Sequence, residues 1–265
     1  MDTPMTDKML SRKEGKVGIM TFNNPEKHNA VSFEMWAKAE DILAGFLADK
    51  EVRVVVLTGA GGKAFVSGAD ISKFADERQS EEAVQRYNAL VERLYSHIYA
   101  FPKPTIAMIR GHCIGGGLNL AICCDIRIAT EGSRFALPAA KLGLGYGYPG
   151  LRRYSETIGT PVTKEIFFTA RQYNAAEAYA RGMVHQIVAD GDLEKTVMDM
   201  AETIAGNAPL TVATIKASLN EVHKDPDKRD LKKVEEMVKA CFASSDYVEG
   251  RKAFLEKRKP AFTGS

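Results

Sequence analysis

The sequence predicts an α/β fold in which strands alternate with helices at first and helices alone follow. Three observations carry that reading. The runs at 52–59 (VRVVVLTG) and 105–111 (TIAMIRG) are nearly continuous in β-branched and apolar residues, which suits strands buried on both faces of a parallel sheet. Between them Val84, Tyr87, Val91, Leu94 and Ile98 recur at helical spacing over 81–100. The 265 residues are 45% hydrophobic and 26% charged, an ordinary globular balance that excludes disorder, collagen-like repeats and coiled coils.

The elements follow in order. Residues 16–22 read as a strand and NNPEK as a turn. Ser32 opens a helix over 32–48, with Phe33, Trp36, Leu43, Phe46 and Leu47 on one face. FPKP (101–104) stops the helix over 81–100. In 111–125 (GHCIGGGLNLAICCD) a strand ends in glycines and LNLAICC opens a helix, after which DIRIAT is a strand. Residues 135–150, rich in Gly and Pro, read as a loop-like wall before a helix near 151–159. Asn174 and Glu177 form a capping box, Gly182 ends that helix, and MVHQIV is a short strand. Pro209 opens a further helix, and 228–242 and 246–258 continue the helical pattern.

A formal net charge of +2 supplies no global basic field for nucleic acid or a membrane surface. No apolar run approaches the ~18 residues of a membrane span, and residues 1–15 lack the apolar core of a signal peptide. The expectation is a cytoplasmic protein. The cysteines Cys113, Cys123, Cys124 and Cys241 include no CxxC pair and read as buried, reduced thiols.

Several motifs fail on context. Gly145, Gly147 and Gly150 satisfy GxGxxG, but no strand precedes them and Pro149 interrupts the pattern. GAGGKAF (59–65) has Ala64 where a phosphate loop needs Ser or Thr for magnesium. The five histidines lack metal-ligand spacing, and no GxSxG elbow occurs. Neither a metal nor a separate cofactor is expected.

Two segments hold. FVSGAD (65–70) and CIGGG (113–117) each follow a buried strand and end in glycine, which lets backbone N–H groups approach a ligand closely. A helix starting near Gly117 adds partial positive charge to the same space. Two such donors on one carbonyl oxygen form an oxyanion hole, worth about 3 kcal/mol per donor where charge develops.

With these segments NNPEKHNAVS (23–32), the stretch 101–125, IFFTARQYNAAEA (166–178) and SSDYVEGRKAFLEKRKPAF (244–262), the chain resembles the crotonase, or enoyl-CoA hydratase/isomerase, superfamily. The resemblance implies a spiral core of ββα repeats over 1–205 and a helical C-terminal region over 206–265 that completes a homotrimer or a dimer of trimers. It implies an acyl-CoA thioester substrate, with coenzyme A part of that substrate, and a place in fatty acid metabolism. By position, the N–H groups of Ala69 and Gly116 resemble the oxyanion hole. Lys27, Ala30 and Ser67 match stretches lining the nucleotide of coenzyme A, and Phe254 and Lys257 match C-terminal contacts to it.

The departures bear on the reaction. Family hydratases use two glutamates; the matching positions here hold Asn119 and Ala139, which have no usable proton chemistry. An enolate forms without a base if carbon dioxide leaves a malonyl-type thioester. LGLGY (142–146) is similar to methylmalonyl-CoA decarboxylases, which have a tyrosine at the place of Tyr146 facing the substrate carboxylate, although that subgroup has histidine in place of Ala69. Tyr148 and Glu156 are secondary candidates for proton delivery, and Ala139 and Leu137 are expected along the acyl group.

Three readings stay open. The first is enolate chemistry, as a decarboxylase or another lyase, hydrolase or isomerase. The second is a slow hydratase in which Asn119 holds water. The third is an acyl-CoA-binding protein without chemistry.

Overall fold

In the computed structural model, which describes residues 6–73 and 79–265, ten strands form two sheets. The larger has the order β1 (Met9–Glu14), β2 (Val17–Phe22), β3 (Val54–Gly59), β5 (Thr105–Ile109), β7 (Ile126–Thr130) and β10 (Gln186–Val188). The smaller has the order β4 (Ala64–Val66), β6 (His112–Ile114), β8 (Arg134–Ala136) and β9 (Gln172–Asn174). Only the β1–β2 and β8–β9 pairs are antiparallel.

The repeat is visible in the connections. Each of β3, β5 and β7 crosses the large sheet, and the next strand, β4, β6 or β8, joins the small one. A helix then returns the chain: Glu81–Tyr99, Gly116–Cys123 and Tyr148–Ile158 in turn. Three ββα units therefore stack side by side, as the spiral requires.

Alternation along the strands divides the apolar residues between two cores. Val55, Leu57, Ala107 and Ile109 face inward, against the helices Phe33–Ala48 and Glu81–Tyr99 and the aromatic rings of Phe22, Phe65 and Phe135. Val54, Val56, Ile106 and Met108 face the opposite way, onto the helix Leu193–Gly206. This burial on both faces is why the sequence shows continuous apolar runs.

Three differences from the sequence reading have local causes. β1 is a strand although five of its six residues are accessible, because it is an edge paired only with β2. Within 135–150 the wall includes the end of β8, a 3₁₀ turn at Pro138–Leu142 and the start of Tyr148–Ile158, with Pro149 in its first turn, where its missing N–H costs nothing. Leu47 lies outside the buried stripe of its helix and faces solvent. Of the segment 1–15, residues 1–5 lie outside the described residues.

The C-terminal helices Pro209–Val222, Leu231–Ala243 and Ser245–Leu255 are tied to the core by polar contacts. Arg53, at the entry to β3, donates to the carbonyls of Ala205 and Phe262 at 3.0 and 2.7 Å. Buried Asp246 accepts the backbone N–H groups of Thr263 and Gly264 and so folds the last residues back. Among the described residues no helix is long and apolar enough to cross a membrane.

Candidate active site

The site begins with two parallel strand ends. β4 pairs with β6, with Ala64 opposite His112 and Val66 opposite Cys113, so the segments 67–70 and 115–117 emerge side by side. Gly68 and Gly115 take positive φ values of 111° and 56°, a region open to glycine at little cost. A Cβ on Gly117 would run into the Val66 carbonyl oxygen, so this position admits no side chain without moving backbone. The Cβ position of Gly68 lies 3.6 Å from Gly116 N, which places the two loops in van der Waals contact.

Gly116 is the first residue of its helix, and its N–H has no partner in the preceding turn. Ala69 sits in an isolated bridge to Val31, in which Gly68 O and Asp70 N make the bonds and the Ala69 N–H is left over. The two N–H groups expected to form the oxyanion hole thus lie on touching loops, with no acceptor for either among the described residues.

A second layer locks the first loop. Asn29 is fully buried with a left-handed φ of 57°. Its Oδ1 accepts from Asn24 N at 2.9 Å, and its Nδ2 donates to the carbonyls of Ala60 and Ala64 at 2.9 and 2.7 Å. The segment 23–32 is thereby fastened beside β4. Lys27, Ala30 and Ser67 come together there: Ala30 N donates to Lys27 O, and Ser67 Oγ donates to the same carbonyl at 3.3 Å. Lys27 Nζ reaches Asp70 at 2.8 Å and Ser72 at 2.7 Å. Burial pushes the Asp70 carboxyl up, but the hydrogen bonds from Lys27 and Ser72 outweigh it and hold the group below its ordinary range. The Lys27 side chain stays half exposed in this pair.

Behind Gly116 the pocket is phenolic. Tyr95, on the helix Glu81–Tyr99, donates to Gly116 O at 3.2 Å. Tyr146 is part-buried, with its ring 4.8 Å from that of Phe167, and the Tyr154 ring stands 5.2 Å from that of Phe167. Burial keeps all three phenols protonated well above their ordinary range. Asn119, in the first turn after Gly116, is 3% exposed and its Oδ1 has no partner; the Tyr154 hydroxyl is likewise unpartnered. Ala139 is buried at the start of the 3₁₀ turn, in the same core as Tyr95 and Tyr154.

Among the described residues, the carboxylates of Glu92 and Glu156 are engaged. Glu92 is held in a fork by Arg153, both bonds at 2.8 Å. Glu156 accepts from Tyr99 and Arg152, each at 2.6 Å, in a separate polar cleft with Cys123, Cys124 and His223. Tyr148 is 73% exposed. Neither secondary candidate for proton delivery is joined to the oxyanion hole by a contact. Phe254 and Lys257 lie at the end of the last helix; Phe254 lines an apolar cavity of about 600 Å³ with Ile215, Phe242 and Phe262, away from the hole within one chain. All four cysteines are free, three of them buried.

Sequence reasoning missed Tyr95. It follows Leu94 in the apolar stripe and stands four residues after Val91, so a broader helical face would have included it. Nothing in the sequence pairs it with Gly116. That juxtaposition comes from packing of two helices from successive repeats.

Gly117→Ala tests the close approach of the helix Gly116–Cys123 to the end of β4. Overpacking against backbone should cost about 1–3 kcal/mol in urea unfolding, and ligand affinity should fall as the loops part.

Comparisons with known proteins agree with this architecture. The sequence profile of the enoyl-CoA hydratase/isomerase family matches residues 12–265. The short-chain-enoyl-CoA hydratase of Clostridium acetobutylicum is 34% identical over 95% of this chain and 95% of its own length. The crotonyl-CoA hydratase of Syntrophomonas wolfei is 34% identical over 97% of this chain and 98% of its own. The crystal structure of an enoyl-CoA hydratase/carnithine racemase from Magnetospirillum magneticum superposes with a TM-score of 0.91 at 34% identity, covering 98% of this chain and 97% of that one. Fold, paired glycine loops and full-length similarity together place the chain in the enoyl-CoA hydratase/isomerase family of the crotonase superfamily.

Proposed function

We propose that this acyl-CoA enzyme makes a thioester enolate by decarboxylating a short malonyl-type acyl-CoA. The observation that carries the reading is that, among the described residues, no free carboxylate stands beside the paired N–H groups. Asn119 and Ala139 stand at the hydratase positions, while Glu92, Glu156 and Asp70 are each held by a cation or a phenol. No base is needed when the bond to the carboxylate breaks: its electron pair becomes the enolate, carbon dioxide leaves, and Cα then takes a proton. The N–H groups of Ala69 and Gly116 hold the oxygen that becomes negative, about 3 kcal/mol each. Phenols at Tyr146 and Tyr154 add no negative charge against the departing carboxylate.

Lys27, Ala30 and Ser67 would line coenzyme A, with the Lys27 ammonium, already bonded to Asp70 and Ser72, turning its exposed side to a phosphate. The exposed Phe242, Val248, Phe254 and Leu255 on the last helices support the trimer, or dimer of trimers, that the resemblance implies, with Phe254 and Lys257 contributing to the coenzyme there.

One observation favours a second reading. The Asn119 Oδ1 is a buried acceptor without a partner, and the relatives named above are hydratases. A water held there could add to an enoyl thioester, at a rate lowered about 10²–10⁴-fold by the missing acid–base groups.

Methylmalonyl-CoA incubated with the protein in D₂O should lose carbon dioxide and give deuterated propionyl-CoA by mass spectrometry, with crotonyl-CoA unchanged; no loss of carbon dioxide rejects decarboxylation of this ester. Tyr146→Phe should lower decarboxylation turnover about 10-fold or more with ligand affinity kept, and an unchanged rate removes Tyr146 from the reaction. If crotonyl-CoA is hydrated instead, Asn119→Ala should abolish water addition, and an undiminished rate rejects the water-holding role.

A further inference from the structure

Decarboxylation leaves the enolate one proton short, and the donor must stand beside the carbon next to the oxyanion hole. Tyr95 is a proton-bearing side chain set directly against Gly116: the Cβ position of that glycine lies 3.0 Å from the Tyr95 hydroxyl oxygen, 3.5 Å from Gly68 Cα and 3.8 Å from the Ala69 nitrogen. The phenol, the Gly68–Ala69 loop and Gly116 thus meet at one point. Tyr146 and Tyr154, by contrast, pack against Phe167, with ring centroids 4.8 and 5.2 Å from its own.

The hydroxyl is held, not loose. It donates to Gly116 O at 3.2 Å, the Trp36 ring meets the Tyr95 ring edge-to-face at 5.7 Å, and Trp36 Nε1 is anchored on the Tyr87 hydroxyl at 2.9 Å. The Arg153 guanidinium lies 6.0 Å from the Tyr95 ring centroid, itself fixed by Glu92. Asn119, three residues after Gly116 on the same helix, opposes the burial-driven rise of the Tyr95 pKa, and its Oδ1 has no partner.

We propose that Tyr95 is the catalytic proton donor to Cα of the thioester enolate, with the Asn119 amide holding the phenolate it leaves. The inference rests on the enolate reading of this site but not on decarboxylation as the source of the enolate. In the step the Tyr95 O–H bond breaks and a Cα–H bond forms from the enolate electron pair. The phenolate, accepting from Asn119 Nδ2, then takes a proton from water. Burial raises the Tyr95 pKa well above the ordinary phenol value, Tyr146 adds to the rise and Asn119 opposes it, so the hydroxyl is fully protonated at neutral pH and available to donate. This assigns Asn119 a use that needs neither a carboxylate nor an attacking water.

Microscopic reversibility supplies a test independent of carbon dioxide loss. Propionyl-CoA in D₂O at pD 9 should exchange one Cα hydrogen faster with the wild-type protein than without it, followed by NMR. Tyr95→Phe, which removes one oxygen, should lower that exchange about 10²-fold while propionyl-CoA affinity, by calorimetry, stays within about twofold. Wild-type exchange at the protein-free rate, or Tyr95→Phe exchanging like the wild type, overturns the assignment. Should Tyr95→Phe fail to fold by circular dichroism, Asn119→Ala reads the same step: a fall of about tenfold or more supports it and an equal rate overturns it. Failure of methylmalonyl-CoA to lose carbon dioxide would sink the decarboxylase reading alone.

Discussion

The approach of Gly117 to the Val66 carbonyl is the contact on which the site depends. It brings the start of the helix Gly116–Cys123 against the end of β4 at a distance no side chain can occupy, and together with the β4–β6 pairing it keeps the segments after both strands side by side. The small sheet supplies this spacing; the large sheet supplies the rigidity behind it, with apolar residues packed on both of its faces. Asn29 carries the constraint outward by fastening the 23–32 segment to the carbonyls of Ala60 and Ala64. A polar residue buried this completely is stabilising only because its amide is fully paired there.

The chemistry then follows from what surrounds the paired N–H groups. Backbone donors stabilise any thioester oxygen that gains charge, whatever brings the charge, so they define a class of reactions and not one member of it. The member is chosen by proton-bearing groups. Among the described residues those groups are phenols and an amide, with the carboxylates of Glu92, Glu156 and Asp70 held in the Arg153–Glu92, Tyr99–Glu156 and Lys27–Asp70 pairs. A phenol kept protonated by burial is a proton donor at neutral pH.

Much of the fold was legible in the sequence because its signals are local. The β-branched runs at 52–59 and 105–111, the stripe over 81–100 and the Asn174–Glu177 capping box each state their own conformation, and the capping box closes with both reciprocal bonds. The glycine segments were legible as donors for the same reason. What the short strands β6 and β8 would join was not, since three residues carry no period and their identity as strands comes from partners distant in the chain.

The residues alone thus determined the α/β class and the two glycine loops, while the resemblance to the family marked Asn119 and Ala139 as departures from its hydratases. Only the tertiary structure set the side-chain neighbours of those loops. It brought Tyr95 from the first repeat against Gly116 of the second, and it bound Glu92 to Arg153 and Glu156 to Tyr99 and Arg152. Backbone donors are encoded by glycine and short-range turn geometry, whereas an acid or base acts only through a neighbour a few ångströms away, and that neighbour is chosen by the packing of helices distant in sequence.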